Sequence, residues 1–450
     1  MTVAKNIKVL YFVGIGGIGM SALARYCKAR NYTVSGYDRN ESPLTRQLIA
    51  EGITVTYVDQ LTPDLLQLDP EQTWIIYTPA IPSENVILTH FRASGFKLYK
   101  RAELLQKVTA NSRCLAVAGT HGKTTTSSIL GHLMAACDMS VTAFLGGILE
   151  NYQSNFIDQG DEWMVVEADE FDRSFLKLSP WAACITTVDA DHLDIYGSAS
   201  ELSRTFEEFA SLVEDEHRLL VGNTTGLKGQ SVAVGQTADY YATNIRISDG
   251  SYLFDLVTPH KKLEDLVFHL PGHHNLQNAV NALGLAILAG APTDRLPEAL
   301  YGFKGVERRF SYRIRREDLV LIDDYAHHPT EIDALFQAVD QMYPEDRKLI
   351  VFQPHLFSRT RDFGPEFARS LSKFDQVILL DIYPARELPI EGIDSEWLIS
   401  LMNHQNVGIV SKDELVQEVV QSECRIRLLV GAGDIGVEVS KISEQLSYAS

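Results

Sequence analysis

A glycine-rich loop between an apolar strand and a polar helix start is the strongest candidate for chemistry in this chain of 450 residues. The stretch LAVAGTHGKTTT covers residues 115–126, and a helix is expected over residues 127–136. Free backbone N–H groups at such a helix start bind anions, and the helix dipole favours negative charge there. The lysine can reach the outer phosphates of a nucleotide, and the following hydroxyl can ligate the accompanying Mg²⁺. The candidate phosphate-binding residues are Gly119, Thr120, His121, Gly122, Lys123, Thr124 and Thr125.

This loop departs from the general phosphate-binding pattern at one position. The pattern GxxxxGK[ST] requires glycine where this chain has Val117. A plain strand–turn–helix without a ligand is therefore the competing interpretation.

A second glycine loop lies near the start of the chain, between a strand at residues 7–13 and a helix at residues 20–29. Asp38 ends the next strand, 19 residues beyond the loop. This arrangement matches the dinucleotide-binding fingerprint, although its glycines would admit any nucleotide diphosphate. Two separate phosphate loops predict two phosphorylated ligands. The residues of this loop are Gly14, Ile15, Gly16, Gly17, Ile18 and Gly19.

An acidic cluster follows a predicted apolar strand at residues 163–166. Glu167 stands at the carboxyl end of that strand, which is the ligand-binding edge of an open parallel sheet. A carboxylate beside a phosphate loop can hold Mg²⁺. Asp169, Glu170 and Asp172 follow closely, so a solvated acidic turn is the alternative.

Two further polar residues are placed where a ligand could reach them. His192 follows a predicted strand at residues 183–188, and it is either a metal ligand or a structural histidine. Asn275 opens an apolar helix, where it either caps the helix or hydrogen-bonds an adenine edge.

The last third of the chain supplies the cations that an anionic ligand needs. The segments VERRF, DDYAHHP and QPHLFSRTR begin at residues 306, 323 and 353, and the last two follow predicted strands. Arginine offers a planar fork suited to phosphate and carboxylate, whereas surface salt bridges are the alternative. We also expect a capping box at Thr330 and Asp333. The candidates are Arg309, Asp323, Asp324, Tyr325, His327, His328, His355, Arg359 and Arg361.

Length and composition fit an α/β enzyme with about three domains. Alternating strands and helices predict parallel sheets covered by helices, and we expect domains at residues 1–110, 111–311 and 312–450. No apolar run approaches the roughly 18 residues of a membrane span. Five scattered cysteines without a CxxC motif fit reduced thiols in a cytoplasm. A net charge of −19 argues against nucleic acid as a general partner.

An ordered set of motifs carries a resemblance that covers essentially the whole chain. In sequence order they are GIGGIGM, AGTHGKTTT, EADEFD, DADHLD, HHNLQNA, VERRF, DDYAHHPTE, QPHLFSRTRD and DIYPARELPI. This set resembles the Mur ligase family. The resemblance implies an N-terminal Rossmann-like domain, a central P-loop ATPase-like domain with a small antiparallel β insertion, and a C-terminal Rossmann-like domain.

The resemblance also implies an activity, namely the ATP-driven joining of L-alanine to the lactyl carboxylate of UDP-N-acetylmuramic acid in a bacterial cytoplasm. The first glycine loop and Asp38 would then bind UDP rather than a nicotinamide, and the second loop would bind ATP. Thr124 and Glu167 would bind one Mg²⁺, and Glu167 with His192 a second. The residues that would contact or enclose ATP from elsewhere are Asn275, Arg309, and Asp323 or Asp324.

The remaining roles implied by the resemblance concern the two acceptor substrates and catalysis. The residues that would also contact the UDP substrate are His121, His355, Arg359 and Arg361. The residues that would face the amino acid are Tyr325, His327 and His328. Those that would take part in catalysis are Lys123, Glu167, His192 and Arg359.

Three departures from the family pattern and three rival functions stay open. The family usually has Asn, Ser and Arg where this chain has Thr187, Phe171 and Leu356. The nearest rival is the muropeptide-recycling ligase, which adds a tripeptide to the same sugar nucleotide. A nicotinamide-dependent dehydrogenase would leave Lys123 and Glu167 unexplained, and a GTPase-like switch would lack an NKxD guanine motif. The oligomeric state and the selectivity for alanine over glycine or serine do not follow from the sequence.

Overall fold

The computed structural model describes residues 6–188, 199–248, 250–385 and 387–448, whose strands form three sheets. It confirms the predicted α/β class. The chain packs as two compact units. The first contains Met1–Arg246, Leu253–Phe268 and Gln277–Lys304, and the second contains Ile247–Tyr252, His269–Leu276 and Gly305–Ser450. No helix in the described ranges combines the length and apolarity that a bilayer crossing requires.

The N-terminal sheet has five parallel strands in the order β3-β2-β1-β4-β5. Apolar strands and crossover helices build the half of a Rossmann fold in which loops after the strands face ligands. The elements are β1 (Val9–Val13), α1 (Ile18–Ala29), β2 (Thr33–Tyr37), α2 (Pro43–Ala50), β3 (Thr54–Thr56), α3 (Pro63–Leu66), β4 (Thr73–Tyr77), α4 (Val86–Ala93), β5 (Lys97–Lys100) and α5 (Arg101–Thr109).

The central sheet has ten strands among the described residues, in the order β15-β14-β13-β12-β11-β10-β6-β9-β7-β8. Strands β6, β9 and β10 are parallel neighbours, so their carboxyl ends meet at one edge. The elements are β6 (Arg113–Ala118), α6 (Lys123–Ala136), β7 (Val141–Leu149), β8 (Ser154–Asp158), β9 (Trp163–Glu167), β10 (Pro180–Ile185), α7 (Ala199–Ala210), β11 (Leu219–Gly222), β12 (Gln230–Val234), β13 (Tyr240–Ser248), β14 (Ser251–Val257), β15 (Lys262–Phe268), α8 (His273–Leu288) and α9 (Leu296–Tyr301). Short 3₁₀ helices span Phe171–Lys177 and Glu216–Arg218.

The predicted antiparallel insertion corresponds to strands β13, β14 and β15. Consecutive strands are neighbours in the sheet, and two residues join β13 to β14, a connection that only antiparallel strands permit. Asp249 of the predicted turn lies outside the described residues, and Gly250 has a φ of +68°. Such a positive φ is what a two-residue hairpin turn requires.

The C-terminal sheet has the order β16-β17-β21-β18-β19-β20, with β16 antiparallel at one edge and the others parallel. The loops after β17, β18 and β21 therefore lie along one edge. The elements are β16 (Ser311–Arg315), β17 (Val320–Asp324), α10 (Pro329–Met342), β18 (Lys348–Phe352), α11 (Phe357–Asp362), α12 (Gly364–Leu371), β19 (Gln376–Leu379), α13 (Ser395–Ser400), β20 (Val407–Ile409), α14 (Lys412–Gln421), β21 (Ile426–Val430) and α15 (Ile435–Tyr448).

One hydrophobic core joins the N-terminal and central sheets. Leu23 and Tyr26 from α1 are buried in the same cluster as Phe144 from β7 and Val166 from β9. The rings of Tyr26 and Phe144 have centroids 5.5 Å apart. Since interiors of this kind are close-packed, α1 and the glycine loop before it have a fixed position against the central sheet.

Two predicted helix starts were wrong. The central helix begins at Lys123 rather than at residue 127, because Gly122 takes a left-handed φ of +84° and the threonines after it are already helical. The capping box before α10 consists of His328 and Glu331, not of Thr330 and Asp333. Pro329 is the first helical residue there, so the cap is His328, two residues before the predicted Thr330.

Candidate active site

The loop between β6 and α6 has the geometry of a phosphate-binding loop. Gly119 and Gly122 have φ values of +131° and +84°, which residues with a Cβ adopt only at a cost. A Cβ at Gly119 would also collide with the Thr186 hydroxyl. Lys123 opens the helix, and Thr125 is buried in its first turn. The free N–H groups of that turn can therefore meet an anion at the mouth of the loop.

Thr187, one of the departures from the family pattern, secures this loop. Its hydroxyl accepts a hydrogen bond from the backbone N–H of His121 at 3.0 Å and lies 2.8 Å from the Thr120 hydroxyl. The Thr187 carbonyl accepts from the Thr120 N–H at 3.0 Å. Thr187 thus binds the loop backbone directly from the end of strand β10.

Lys123 folds back over its own loop. Its ammonium donates to the carbonyl of Gly119 at 2.6 Å and to that of Thr120 at 3.3 Å. It also lies 2.8 Å from the carboxylate of Glu170, whose side chain is fully buried. Burial raises the pKa of Glu170 above its usual value, while the Lys123 ammonium opposes that rise. Glu170 therefore holds the cation at the loop.

Thr124 and Glu167 form a donor pair suited to a hard cation. The Thr124 hydroxyl donates to the two Glu167 carboxylate oxygens, at 3.1 and 2.9 Å. A hydroxyl from the first turn of α6 and a carboxylate at the end of β9 are oxygen ligands of the kind that Mg²⁺ takes in nucleotide sites. The described residues contain no group of three His, Cys, Asp or Glu side chains arranged for a metal. His192, the third predicted ligand, lies outside the described residues.

The first glycine loop is stabilised by the acidic residue that the fingerprint reserves for a ribose. The backbone N–H of Gly16 donates to Asp38 Oδ2 at 2.7 Å. In dinucleotide sites this carboxylate instead accepts from a ribose hydroxyl. Asp38 therefore supports the loop conformation, and its carboxylate oxygens keep further lone pairs that a ribose hydroxyl could use.

Arg101 is a cation beside this loop that sequence reasoning missed. Its side chain lies against Gly19, since a Cβ at that glycine would be 3.1 Å from Arg101 Cδ and Nη1. Its guanidinium also lies 3.4 Å from the carboxylate of Asp169, two residues after Glu167. Arg101 thus links the first glycine loop to the acidic segment beside the second. In the sequence, Arg101 looks like an ordinary surface arginine because no motif surrounds it.

Asn278 is a second missed residue. It is buried, and a Cβ at Gly122 would collide with its side-chain oxygen. The motif HHNLQNA contains both Asn275 and Asn278, and only the first was chosen. Asn275 is buried at the start of α8, and its amide donates to the Pro271 carbonyl at 2.7 Å.

The carboxyl edge of the C-terminal sheet holds most of the remaining predicted residues. Asp323 is buried and lies 3.0 Å from Arg313 and 3.6 Å from Arg308. Asp324 accepts from the N–H groups of Phe310 and Ala326, at 2.7 and 2.8 Å. Burial raises the pKa of Asp324 to about 6. Both carboxylates therefore already have partners within the protein.

Tyr325 and Arg309 form the centre of this cluster. The guanidinium of Arg309 lies 5.5 Å from the centroid of the Tyr325 ring. The ring of His327 packs edge-on against Tyr325 at 5.4 Å, and its Nδ1 lies 3.3 Å from Glu331. Burial lowers the pKa of His327, so the neutral imidazole is favoured.

His355 and Arg359 belong to the same cluster, whereas Arg361 does not. The His355 and His327 rings have centroids 6.2 Å apart, and Arg359 Nη1 lies 3.4 Å from His355 Nδ1. Arg361 is exposed and pairs with its neighbour Asp362 at 2.7 Å. The predicted pair of arginines is therefore divided, with Arg359 in the cluster and Arg361 on the surface.

The last two predictions of this region have structural explanations. His328 caps α10, and its ring packs edge-on against Phe363 with centroids 4.7 Å apart. Leu356, the departure from the family arginine, has a φ of +71° immediately before α11. A branched side chain at positive φ is strained, so the bend before α11 is imposed by its surroundings.

The side chain of Phe171, the third departure from the family pattern, is outside the part of the chain that is described.

Comparison with known families identifies the class of enzyme to which this fold and these loops belong. The Mur ligase family catalytic domain matches residues 9–113, and the Mur ligase middle domain matches residues 117–286. The glutamate ligase domain of Mur ligases matches residues 308–433. The chain therefore belongs to the Mur ligase family, which confirms the resemblance carried by the motifs.

Individual relatives narrow the comparison. The chain is 55% identical, over 98% of both chains, to UDP-N-acetylmuramate–L-alanine ligase of Christiangramia forsetii. It superposes with a TM-score of 0.83 on the crystal structure of UDP-N-acetylmuramate–alanine ligase from Thermotoga maritima, at 28% identity over 98% of this chain and 99% of that one. A murein peptide ligase from Psychrobacter arcticus matches with a TM-score of 0.70 at 20% identity over 98% of each chain, a likeness of fold alone.

Proposed function

We propose that the protein joins L-alanine to the lactyl carboxylate of UDP-N-acetylmuramic acid, with ATP as co-substrate, in the cytoplasmic stage of peptidoglycan biosynthesis. The observation that carries this proposal is the 55% identity to an L-alanine ligase over 98% of both chains. The geometry is consistent with two nucleotide substrates. The N-terminal sheet and the central sheet each have a glycine loop after a strand, and the two sheets share one hydrophobic core.

The chemistry follows from the weakness of a carboxylate as an acylating agent. Phosphoryl transfer from ATP converts it into an acyl phosphate, which the amine of alanine attacks, and phosphate then leaves from a tetrahedral adduct. Two anions meet in the first step, so catalysis depends on positioning and on neutralising charge. Water must be excluded from the reactive intermediate.

Lys123 is the residue proposed to neutralise the phosphates. Its ammonium is within reach of the loop mouth because it already contacts the carbonyls of Gly119 and Thr120. The same ammonium is paired with Glu170 at 2.8 Å. We expect the ammonium to exchange Glu170 for phosphate oxygens when ATP binds.

Thr124 and Glu167 are the residues proposed to hold Mg²⁺, with His192 as a further ligand. Their hydroxyl and carboxylate converge at the end of the loop, which fits the donor preference of this ion. Bound there, Mg²⁺ would offset negative charge on the phosphates. The parallel pairing of β6 and β9 brings the end of β9, with Glu167, beside the loop that leads from β6 to Thr124 in α6.

The remaining assignments divide between the two units. We propose that the first glycine loop, with Asp38 as its support and Arg101 beside it, binds the UDP substrate. The C-terminal cluster binds the acidic sugar and the amino acid through Arg359, His355 and the aromatic edge of Tyr325. Asn275 and Arg309 contact ATP.

The test is phosphate release from ATP, measured with UDP-N-acetylmuramic acid and each of L-alanine, glycine, L-serine and the recycling tripeptide. We expect release to require the sugar nucleotide and to be fastest with L-alanine. Equal release without any amino acid would contradict ligation. Titration with NAD in the same preparation should show no binding, which would exclude the dehydrogenase.

A further inference from the structure

A third glycine-rich segment lies in the C-terminal sheet. The sequence Gly431-Ala-Gly-Asp-Ile-Gly436 follows β21 and leads into α15. It has the GxGxxG spacing between a strand and a helix, and Gly431 has a φ of +146°. By the rule applied to the first loop, it should bind a nucleotide diphosphate.

The guanidinium of Arg308 occupies this loop instead. Arg308 Nη2 donates to the Gly431 carbonyl, and Nη1 donates to the Gly433 carbonyl at 3.4 Å. A Cβ at Gly436 would lie 2.8 Å from the guanidinium carbon. The absence of a side chain at Gly436 therefore leaves room for the Arg308 guanidinium, and the carbonyls of the loop accept its hydrogen bonds.

Gln353 occupies the other side of the same loop. Its side-chain oxygen accepts from the N–H of Ile435 at 2.9 Å, and its amide donates to Asp434 at 2.8 Å. A backbone donor at the start of α15, which an anion would use, is thus already bound. Both sides of the loop are filled by side chains of the protein.

Arg308 connects this loop to the proposed active site. The Arg308 carbonyl accepts from the Tyr325 N–H at 2.7 Å, and the guanidinium lies 5.1 Å from the Tyr325 ring centroid. The same guanidinium is 3.6 Å from buried Asp323. Arg308 has a left-handed φ of +60°, a strained conformation that its side-chain contacts must hold.

We propose that Arg308 is a positioning residue and that the Gly431–Gly436 loop is its receptor. By fixing Arg308, the loop sets the position of Tyr325 and of the adjacent Arg309, the residues assigned to the amino acid and ATP. This proposal rests on the proposed function. It assigns the third glycine loop to the protein's own arginine rather than to a third nucleotide.

The test is a double-mutant cycle between Gly436→Ala and Arg308→Ala. Gly436→Ala keeps every charge and improves helix propensity, so it acts only by displacing the guanidinium. We expect at least a tenfold loss in kcat/KM for L-alanine from Gly436→Ala alone, and less than a twofold further loss when it is added to Arg308→Ala. Val437→Ala, at an exposed position of the same helix, is the control that should keep wild-type kinetics.

Binding of a non-hydrolysable ATP analogue, measured by calorimetry on the same variants, supplies a readout that needs no turnover. We expect weaker binding in Gly436→Ala and in Arg308→Ala, non-additive in the double variant, with Arg308→Lys intermediate. Additive losses, or wild-type affinity and kinetics in Gly436→Ala, would overturn the positioning role. A wild-type enzyme that binds the analogue but ignores L-alanine would instead count against the proposed function. A second equivalent of nucleotide bound per chain in Arg308→Ala would indicate a nucleotide loop.

Discussion

The ammonium of Lys123 lies 2.8 Å from the carboxylate of Glu170, a residue with no exposed surface. This pair links the phosphate loop to the acidic segment that follows β9. Removing a cation that is paired with a buried carboxylate is strongly destabilising. Variants at Lys123 therefore combine a catalytic loss with a structural one, and the two must be separated.

Lys123→Ala should abolish phosphate release, because no other group of the loop offers a cation to the phosphates. It should also lower the free energy of unfolding by about 3 kcal/mol. The double variant Lys123→Ala with Glu170→Gln removes both charges, so it should recover most of the stability and none of the activity. Denaturant unfolding and phosphate release measure the two effects. Normal turnover in either variant would show that this loop does not bind the phosphates of ATP through Lys123.

Glu167→Gln should lower the rate strongly and raise the Mg²⁺ concentration needed for half-maximal activity. The change removes one charge from the proposed metal site while keeping a side chain that the Thr124 hydroxyl can contact. A Mg²⁺ titration of activity is the measurement, with Asp169→Asn as the comparison. If the titration curve moved for Asp169→Asn and stayed in place for Glu167→Gln, the metal assignment would be wrong.

Arg359→Ala should cripple ligation while ATP binding survives. Loss of a charge-assisted contact to the reacting carboxylate should cost about 2–3 kcal/mol, or one to two orders of magnitude in rate. Arg361→Ala should cost less, because that guanidinium is exposed and paired with Asp362. Arg369→Ala, at an exposed position of α12, is the neutral control. Equal losses in the Arg359 and Arg361 variants would contradict the division drawn from the structure.

Asn155→Ala should weaken binding of the UDP substrate and lower stability. The buried Asn155 amide donates to the Ile18 carbonyl of the first glycine loop at 2.5 Å and to the Ser21 hydroxyl at 3.0 Å, and its oxygen accepts from Arg25. Removing it should cost about 2–3 kcal/mol. Gln159→Ala, just beyond β8 and exposed, is the control. An unchanged KM for the sugar nucleotide would show that the loop needs no such support.

Asp324 should make stability fall as pH rises between about 4 and about 6. Its pKa rises from 3.8 to about 6 on burial, so in this window the folded state binds more protons than the unfolded state. The contribution of Asp324 to stability therefore decreases with increasing pH there and stays constant above. Asp324→Asn should flatten this slope in urea unfolding measured across that range. An identical slope in the variant would place the titration elsewhere.

Features set by short stretches of sequence were predictable. The two glycine loops between a strand and a helix follow from glycine spacing beside apolar strands. The placement of Glu167 and Arg359 follows from the rule that parallel strands present their carboxyl ends to ligands. The helix start at Lys123 was missed because threonine hydroxyls also suit a cap, and the φ of Gly122 decided otherwise.

Features set by long-range partners were not predictable from the sequence. Thr187 lies 67 residues from Thr120, Glu170 lies 47 residues from Lys123, and Arg101 lies 68 residues from Asp169. No local sequence pattern predicts such contacts, because they depend on the order of strands in the sheet, which is a property of the whole chain. Thr187 stood out only as a departure from the family pattern, although it directly supports the loop.

The most direct test of the proposed function is a competition assay. The enzyme is given ATP, Mg²⁺ and UDP-N-acetylmuramic acid together with equal concentrations of L-alanine and the recycling tripeptide, and the products are resolved by mass spectrometry. The account predicts that UDP-N-acetylmuramoyl-L-alanine forms almost exclusively, with one ADP released per product. Predominant formation of the tripeptide adduct would contradict the proposed function, while the family, the fold and the ATP loop would still stand.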